Sequence, residues 1–298
     1  MKLFYTVLIQ MIFVFSLFAQ EEKEVQYPVY ETFANDMLAE TQTIMSPAAK
    51  HFNFIIHHRM GKIKEIKDLF GIYAPSDIRL GIDYGITDKL MLGFGIEKNN
   101  YQQELRWKYA IFTQTKSNSM PVSVSYFGNI VLDAIHKDNY GAEYKFISKL
   151  SYFNQIIIAR KFNEKFSFEV AAGYSHFNMV DSIYQNDAIS LTAGGTYKFT
   201  DYMSVLFEYN QSLYLKDQRY FTQEPTPGVA LGFQVGTPTH AFQLFASTYN
   251  NITPQTNYVK NSNQLFNLDV RDPLTGAVID GEKADLGIRI GFNITVRF

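Results

Sequence analysis

Residues 286–298 read LGIRIGFNITVRF. Leu286, Ile288, Ile290, Phe292, Ile294, Val296 and Phe298 share one parity and all are apolar. Gly287, Arg289, Gly291, Asn293, Thr295 and Arg297 share the other and all are small or polar. With 46% of the chain apolar, chance placement gives this order roughly once in ten thousand trials. A sustained period of two is a strand with one greasy and one wet face. Strands of ~9–11 residues cross a bilayer when tilted, whereas soluble strands average ~5–6.

The same alternation recurs upstream. His51–Met60 places Phe52, Phe54, Ile56 and His58 on one face. Asp77–Ile86 places Ile78, Leu80, Ile82, Tyr84 and Ile86 opposite Arg79, Gly81, Asp83 and Gly85. Lys89–Glu97 sets Leu90, Leu92, Phe94 and Ile96 over glycines, and Tyr101–Phe112 sets Leu105, Trp107, Tyr109 and Ile111 against Glu104, Arg106 and Lys108. Weaker alternation marks Val122–Leu132, Tyr144–Ala159, Phe166–Phe177, Ala188–Phe199, Met203–Asn210, Val229–Val235 and Ala241–Thr248. Residues 286–298 complete about twelve strands, with ten and fourteen as alternatives. The fold class this predicts is all-β, a transmembrane antiparallel up-and-down β-barrel.

Connection lengths test that topology. Segments 87–88, 113–121, 160–165, 200–202 and 236–240 are short, while 61–76, 133–143, 178–187, 211–228 and 249–285 are longer and carry Asn, Asp, Gly and Pro. Only 98–100 breaks the rhythm. Short periplasmic turns alternating with longer outer loops fit an outer-membrane barrel, and a soluble sandwich does not predict the asymmetry. Tyr84, Trp107, Tyr109, Tyr126, Tyr152, Tyr174, Tyr197 and Tyr209 fall on outward parities and read as an interfacial girdle. The closing strand, with Phe292 and terminal Phe298, looks like the assembly signal by which outer-membrane barrels engage their assembly machinery.

Composition narrows the classes further. Aromatic residues make up 16% of the chain and charged residues only 19%, which excludes intrinsic disorder. Twenty-seven basic against 29 acidic residues leave no cationic field for nucleic acid. The absence of cysteine excludes disulfides, thiol nucleophiles and Cys-ligated metal sites. Residues 1–19 read as a cleaved signal peptide: Lys2, an apolar run from Leu3 to Phe18, and Ala19 before the cut. Residues 20–49 form an N-terminal periplasmic or plug segment, in which Glu31–Met45 lacks Gly and Pro and is expected to be a short helix ended by Pro47. Residues 50–298 form the barrel. A plug inside the barrel is the sharper reading of the N-terminal segment.

The segments HHRMGKI (57–63), FGIYAPSDIRLGIDYGITDKLMLGFGIEK (70–98) and WKYAIFTQ (107–114) resemble a family of outer-membrane β-barrels of unknown function found in Bacteroidota. The likeness runs over nearly the whole chain after the signal peptide and is densest from Phe52 to Gln114. It implies the barrel fold and the outer membrane, and it implies no catalytic residues.

Strand parity defines the candidate lumen: His57, Arg59, Arg79, Asp83, Glu104, Arg106, Lys108, Arg289 and Arg297 point inward. Mixed charges on neighbouring strands pair with one another. His57 and His58 are adjacent and so face opposite sides, and His57 shares its face with Arg59, which disfavours a metal. Strands one and twelve are neighbours on closure, so Arg59, Arg289 and Arg297 suggest a cationic wall favouring anions. Inward glycines 81, 85, 93 and 95 leave space for a helix or for bulky side chains opposite. No cofactor and no metal is called for.

The function these residues suggest is a narrow channel or facilitator for a small solute. The alternative is a closed barrel serving as a structural or docking partner in an envelope complex; an inward-folded loop or plug favours it, because twelve strands enclose far less space than the 16–18 of open porins. A remote third reading is a membrane-embedded lipid hydrolase built on His176, but Ser190 lies on the wrong parity to serve as its nucleophile.

Overall fold

The computed structural model describes residues 27–61, 63, 71–98, 101–141, 144–215, 224–249, 251–263, 265 and 287–298. The signal-peptide reading of residues 1–19 falls outside them. Alternating inward and outward side chains build β1 (Phe52–Arg59), β2 (Asp77–Gly85), β3 (Leu90–Glu97), β4 (Gln102–Phe112), β5 (Ser123–Leu132) and β6 (Leu150–Lys161). They are followed by β7 (Phe166–Phe177), β8 (Asp187–Lys198), β9 (Met203–Tyr214), β10 (Gly228–Gly236), β11 (His240–Ser247) and β12 (Arg289–Arg297). Each strand pairs antiparallel with its sequence neighbours, and β1 closes on β12 from Asn53 opposite Arg297 to Arg59 opposite Gly291. Closure removes the open edges that a bilayer forbids.

The β-hairpin turns between β2 and β3, β4 and β5, β6 and β7, β8 and β9, and β10 and β11 all lie at the end that carries the N-terminal segment and the C-terminus. Their chemistry is local: short oxygen-bearing side chains take up the backbone N–H groups that a tight turn leaves free. Thr87 Oγ1 accepts from the Lys89 and Leu90 amides at 3.2 and 3.0 Å. Asn163 Oδ1 accepts from Lys165 and Phe166, both at 2.9 Å. Thr200 and Thr237 do the same for Met203 and His240. Longer connections meet at the opposite end, where only the one between β3 and β4 is short. β6 begins at Leu150 rather than at Tyr144, because Phe146–Lys149 winds into a 3₁₀ turn first.

Among the described residues, two pieces of chain enter the barrel. From the turn end, residues 32–43, all but half-buried Ala34 fully buried, enter the lumen without forming a helix. They fold back as a hairpin: Leu38 N donates to Thr41 O at 2.8 Å, Met37 bridges Gln42, and Thr43 N donates to Asp36 O at 2.9 Å. The expected helix over Glu31–Met45 is therefore corrected: no helix forms there, and the segment folds as a hairpin. The reason is competition for backbone groups. Asn35, Asp36, Thr41 and Thr43 are weak helix formers; the Asn35 and Thr43 side chains bond nearby backbone, and the segment's amides and carbonyls find side-chain partners on the barrel wall. From the loop end, the connection after β11 sends in α1 (Pro254–Lys260), with Pro254 through Val259 buried. It is the only α-helix among the described residues.

Candidate functional site

The inner wall is built by the inward parity that the sequence marks. His57, Arg59, Arg79, Asp83, Glu104, Arg106 and Lys108 are all at most 4% exposed. Opposite charges lie one or two strands apart. Arg106 on β4 clamps Asp83 on β2 with two hydrogen bonds of 2.8 and 2.7 Å, and Arg79 on β2 pairs with Glu104 on β4. Between them runs β3, whose inward Gly93 and Gly95 make the crossing possible. A Cβ at Gly95 would collide with the Arg79 guanidinium, and one at Gly93 with the Asp83 carboxylate. These glycines leave room for ion pairs, not for a helix. Gly85 does leave room for chain, since a Cβ there would strike the carbonyl of Ala48 where the hairpin exits.

The hairpin completes pairs that the wall alone leaves open. Arg59 on β1 donates from Nε and Nη2 to the two oxygens of Glu40 at 2.6 and 3.0 Å, and from Nη1 to Asn293 Oδ1 at 2.9 Å. Such a bidentate, desolvated pair fixes geometry strongly. Asn293 Nδ2 reaches the Ala39 carbonyl at 3.0 Å, Gln243 the Met37 carbonyl at 2.9 Å, and Lys108 Nζ the Asp36 and Met45 carbonyls at 3.1 and 2.7 Å. Glu208 on β9 is where both inserted pieces meet. Its carboxylate accepts from the Glu40 and Thr41 amides at 3.0 and 3.1 Å, from Thr41 Oγ1 at 2.9 Å and from Tyr249 Oη at 2.7 Å.

On the loop side, α1 lays Tyr258 against Phe153, centroids 5.2 Å apart, and Phe153 against Phe127 at 6.2 Å. Gln255 donates to Ser151 at 3.2 Å and accepts from Asn129 at 3.3 Å. The Tyr258 hydroxyl stands 3.4 Å from Thr41 Oγ1, so hairpin tip and helix touch. The lumen is thus a packed polar core with an aromatic half. The space left between hairpin and helix beside His57 is a cavity of about 10 Å³, the size that holds a single water. A wider recess of about 490 Å³ opens at the turn end, between the hairpin, Lys198, Asp201 and Arg297. Asn35 and Asp36 line it; Asp36 lies 3.7 Å from Arg106, and its carboxylate oxygens and Asn35 Nδ2 are shut off from solvent with no hydrogen-bond partner among the described residues.

The structure sets Arg297 apart from the other two arginines read as one wall. Arg59 lies opposite Gly291 near the loop end, whereas Arg297 lies opposite Asn53 at the turn end and donates to the Thr237 and Ala34 carbonyls. Arg289 stands at the loop end of β12, and Arg59 is spent on Glu40. Among the outward aromatics, Tyr84, Tyr109, Tyr126 and Tyr197 sit toward the turn end, joined by Phe52 stacked on Phe298 at 4.8 Å. Tyr152 and Tyr174 sit toward the loop end, and Trp107 and Tyr209 near mid-strand. Phe292 stacks on His58 across the β1–β12 seam at 4.8 Å. His176 pairs with Asp187 at 2.6 Å on the outer face, while Ser190 is fully buried inside. The described residues assemble no group of His, Asp and Glu fit for a metal ion.

Sequence parity missed Glu40, Tyr249, Gln255 and Tyr258, because they sit in connections where no period applies. The one available signal was the density of polar residues in 31–45, which is more than a free helix face needs.

A closed antiparallel barrel with an apolar outer wall and a polar interior is a membrane-bound β-barrel. Residues 33–298 match the family described as membrane bound beta barrel domain (DUF5777), and the chain belongs to that family. No curated protein matches it. Among solved structures, the NanC porin is similar at 11% identity with a TM-score of 0.49, over 83% of this chain and 98% of that one. The KdgM porin is similar at 11% identity with a TM-score of 0.45, over 83% and 99%. OmpT of Vibrio cholerae is similar at 12% identity with a TM-score of 0.35, over 84% and 97%.

Proposed function

We propose that this chain is an outer-membrane barrel closed in its folded state, working as a structural or docking component of the envelope. The observation that supports this most is the sharing of Glu208 between the N-terminal hairpin and the chain leading into α1. One carboxylate ties together two segments that enter from opposite ends, so among the described residues no solute-sized path runs between them. The recess of about 490 Å³ at the turn end, between the hairpin, Lys198, Asp201 and Arg297, is the surface open to a partner.

A second reading, a gated conduit for a small solute, has its own support. Arg59 finds its ionic partner on the hairpin, and Glu208 takes three of its hydrogen bonds from there. Withdrawal of the hairpin therefore bares a lumen with charges of both signs. Both arms of the hairpin return to the same mouth, where Pro28 bridges Thr115 on the rim. Swelling of proteoliposomes in graded sugars separates the readings. The closed barrel predicts no swelling with the intact chain. Solute-dependent swelling of the intact protein overturns it in favour of the conduit.

A further inference from the structure

The outer face of the barrel carries polar side chains where lipid is the solvent. On β6 the outward series runs Tyr152, Asn154, Ile156, Ile158, and Asn154 lies four residues from the loop end. At strand rise and tilt that depth is about 10 Å below the end of the strand. Asn154 Oδ1 accepts from the Tyr126 hydroxyl at 2.5 Å. Its Nδ2 has no protein partner among the described residues, and neither does the indole N–H of Trp107. Two N–H donors facing hydrocarbon call for an acceptor, because water does not supply one there.

These donors share a cleft of about 420 Å³ on the outer wall. One wall is the Trp107 ring. Trp107, Gly128, Asn154 and Tyr174 occupy one level across four strands, and the Trp107 ring lies so close over Gly128 that a Cβ there would meet ring carbons at 2.6 Å. The opposite wall is held rigid. Tyr174 Oη donates to Asp187 Oδ1 at 2.6 Å, His176 Nδ1 bonds the same oxygen at 2.6 Å, and the His176 ring stacks on Tyr152 at 6.1 Å. A fixed aromatic slot with two unused donors at the boundary between tails and headgroups suits one kind of molecule.

We propose that this cleft is a binding site for a diacyl membrane lipid, whose chain lies across the Trp107 indole while its ester carbonyl accepts from Asn154 Nδ2. The chemistry recognised is the carbonyl, the group a lipid carries at this depth. Lipids that keep the chain and headgroup but replace the ester by an ether lack that acceptor and bind less well.

Trp107 is the only tryptophan in the chain and reports on its own site. The full-length refolded protein is placed in vesicles of unlabelled phosphatidylcholine with rising fractions of brominated phosphatidylcholine, diacyl or diether, and fluorescence quenching is read. One carbonyl hydrogen bond predicts that the diacyl form competes for the site on the order of fivefold better than the diether form. The preference disappears in Asn154→Leu, with heat-modifiable migration confirming that the variant is folded. Equal quenching of the wild type by both lipids overturns the proposal, since that comparison needs no variant and marks ordinary boundary lipid. A preference that survives in folded Asn154→Leu overturns it as well.

Discussion

Replacing Glu40 by alanine takes the partner from Arg59 while leaving the arginine held between Asn293 and the Ala39 carbonyl. Both side chains of the pair are almost fully buried, at 0% and 2% exposure, so screening by solvent does not dilute the effect. Removing one member of such a pair costs about 3–5 kcal/mol, and the lower end applies because water entering the opened mouth solvates the stranded guanidinium. About 3 kcal/mol multiplies the population of the undocked hairpin roughly 100-fold. The natural chain has no cysteine, so a single thiol at buried Ala39 reports that population by its rate of alkylation with maleimide. The Ala39→Cys protein should label slowly and the Glu40→Ala/Ala39→Cys protein about two orders of magnitude faster. Adding Arg59→Met should return the rate most of the way, because neither charge is then left alone. Labelling within threefold of the parent in Glu40→Ala would refute the view that this pair holds the hairpin.

Gly95→Val drives a side chain into the Arg79 guanidinium and should lower barrel stability by about 2 kcal/mol, read as an earlier urea midpoint for loss of heat-modifiable migration; an unchanged midpoint contradicts the packing described. Lys260 on α1 lies outside the strands, its ammonium 4.7 Å from the Phe177 ring centroid, and burial holds its pKa below the ordinary 10.5 against the pull of Asp133 and Asp181. The seated helix therefore binds fewer protons than the released loop, so its docking is strongest above pH 10.5 and weakens as pH falls through the lowered value. Amide exchange over residues 255–259, corrected for intrinsic rates, should show protection rising from pH 8 to 10.5 in the parent and flat in Lys260→Met. Removal of Phe298 deletes the ring stacked on Phe52 at the β1–β12 seam and should cut the folded fraction recovered from membranes; full recovery counts against its role in assembly.

Strand direction, the inward parity and a strand number near twelve were legible because a period of two over strands this long, with short and long connections in turn, fits a membrane barrel better than a soluble sandwich. Arg79, Asp83, Glu104 and Arg106 could be named from parity alone, and their pairing follows once neighbours in sequence are neighbours in space. Reading 31–45 as a helix failed for a physical reason: helix propensity describes a segment in water, and these backbone groups bond to Glu208, Asn293, Gln243 and Lys108 instead. The same limit hid α1, a seven-residue helix too short to show a period. It also misplaced the cationic wall. Arg59 and Arg297 belong to adjacent strands, but antiparallel pairing sets them at opposite ends, and the charge that answers Arg59 comes from a connection that parity does not reach.

Single-channel recording on the refolded intact barrel in a planar bilayer tests the closed lumen most directly. With Tyr249 meeting the hairpin at Glu208 and Tyr258 of α1 meeting it at Thr41, the account predicts a quiet membrane at moderate voltage from protein that is demonstrably folded. Stable, salt-dependent conductance steps from that same protein would contradict it.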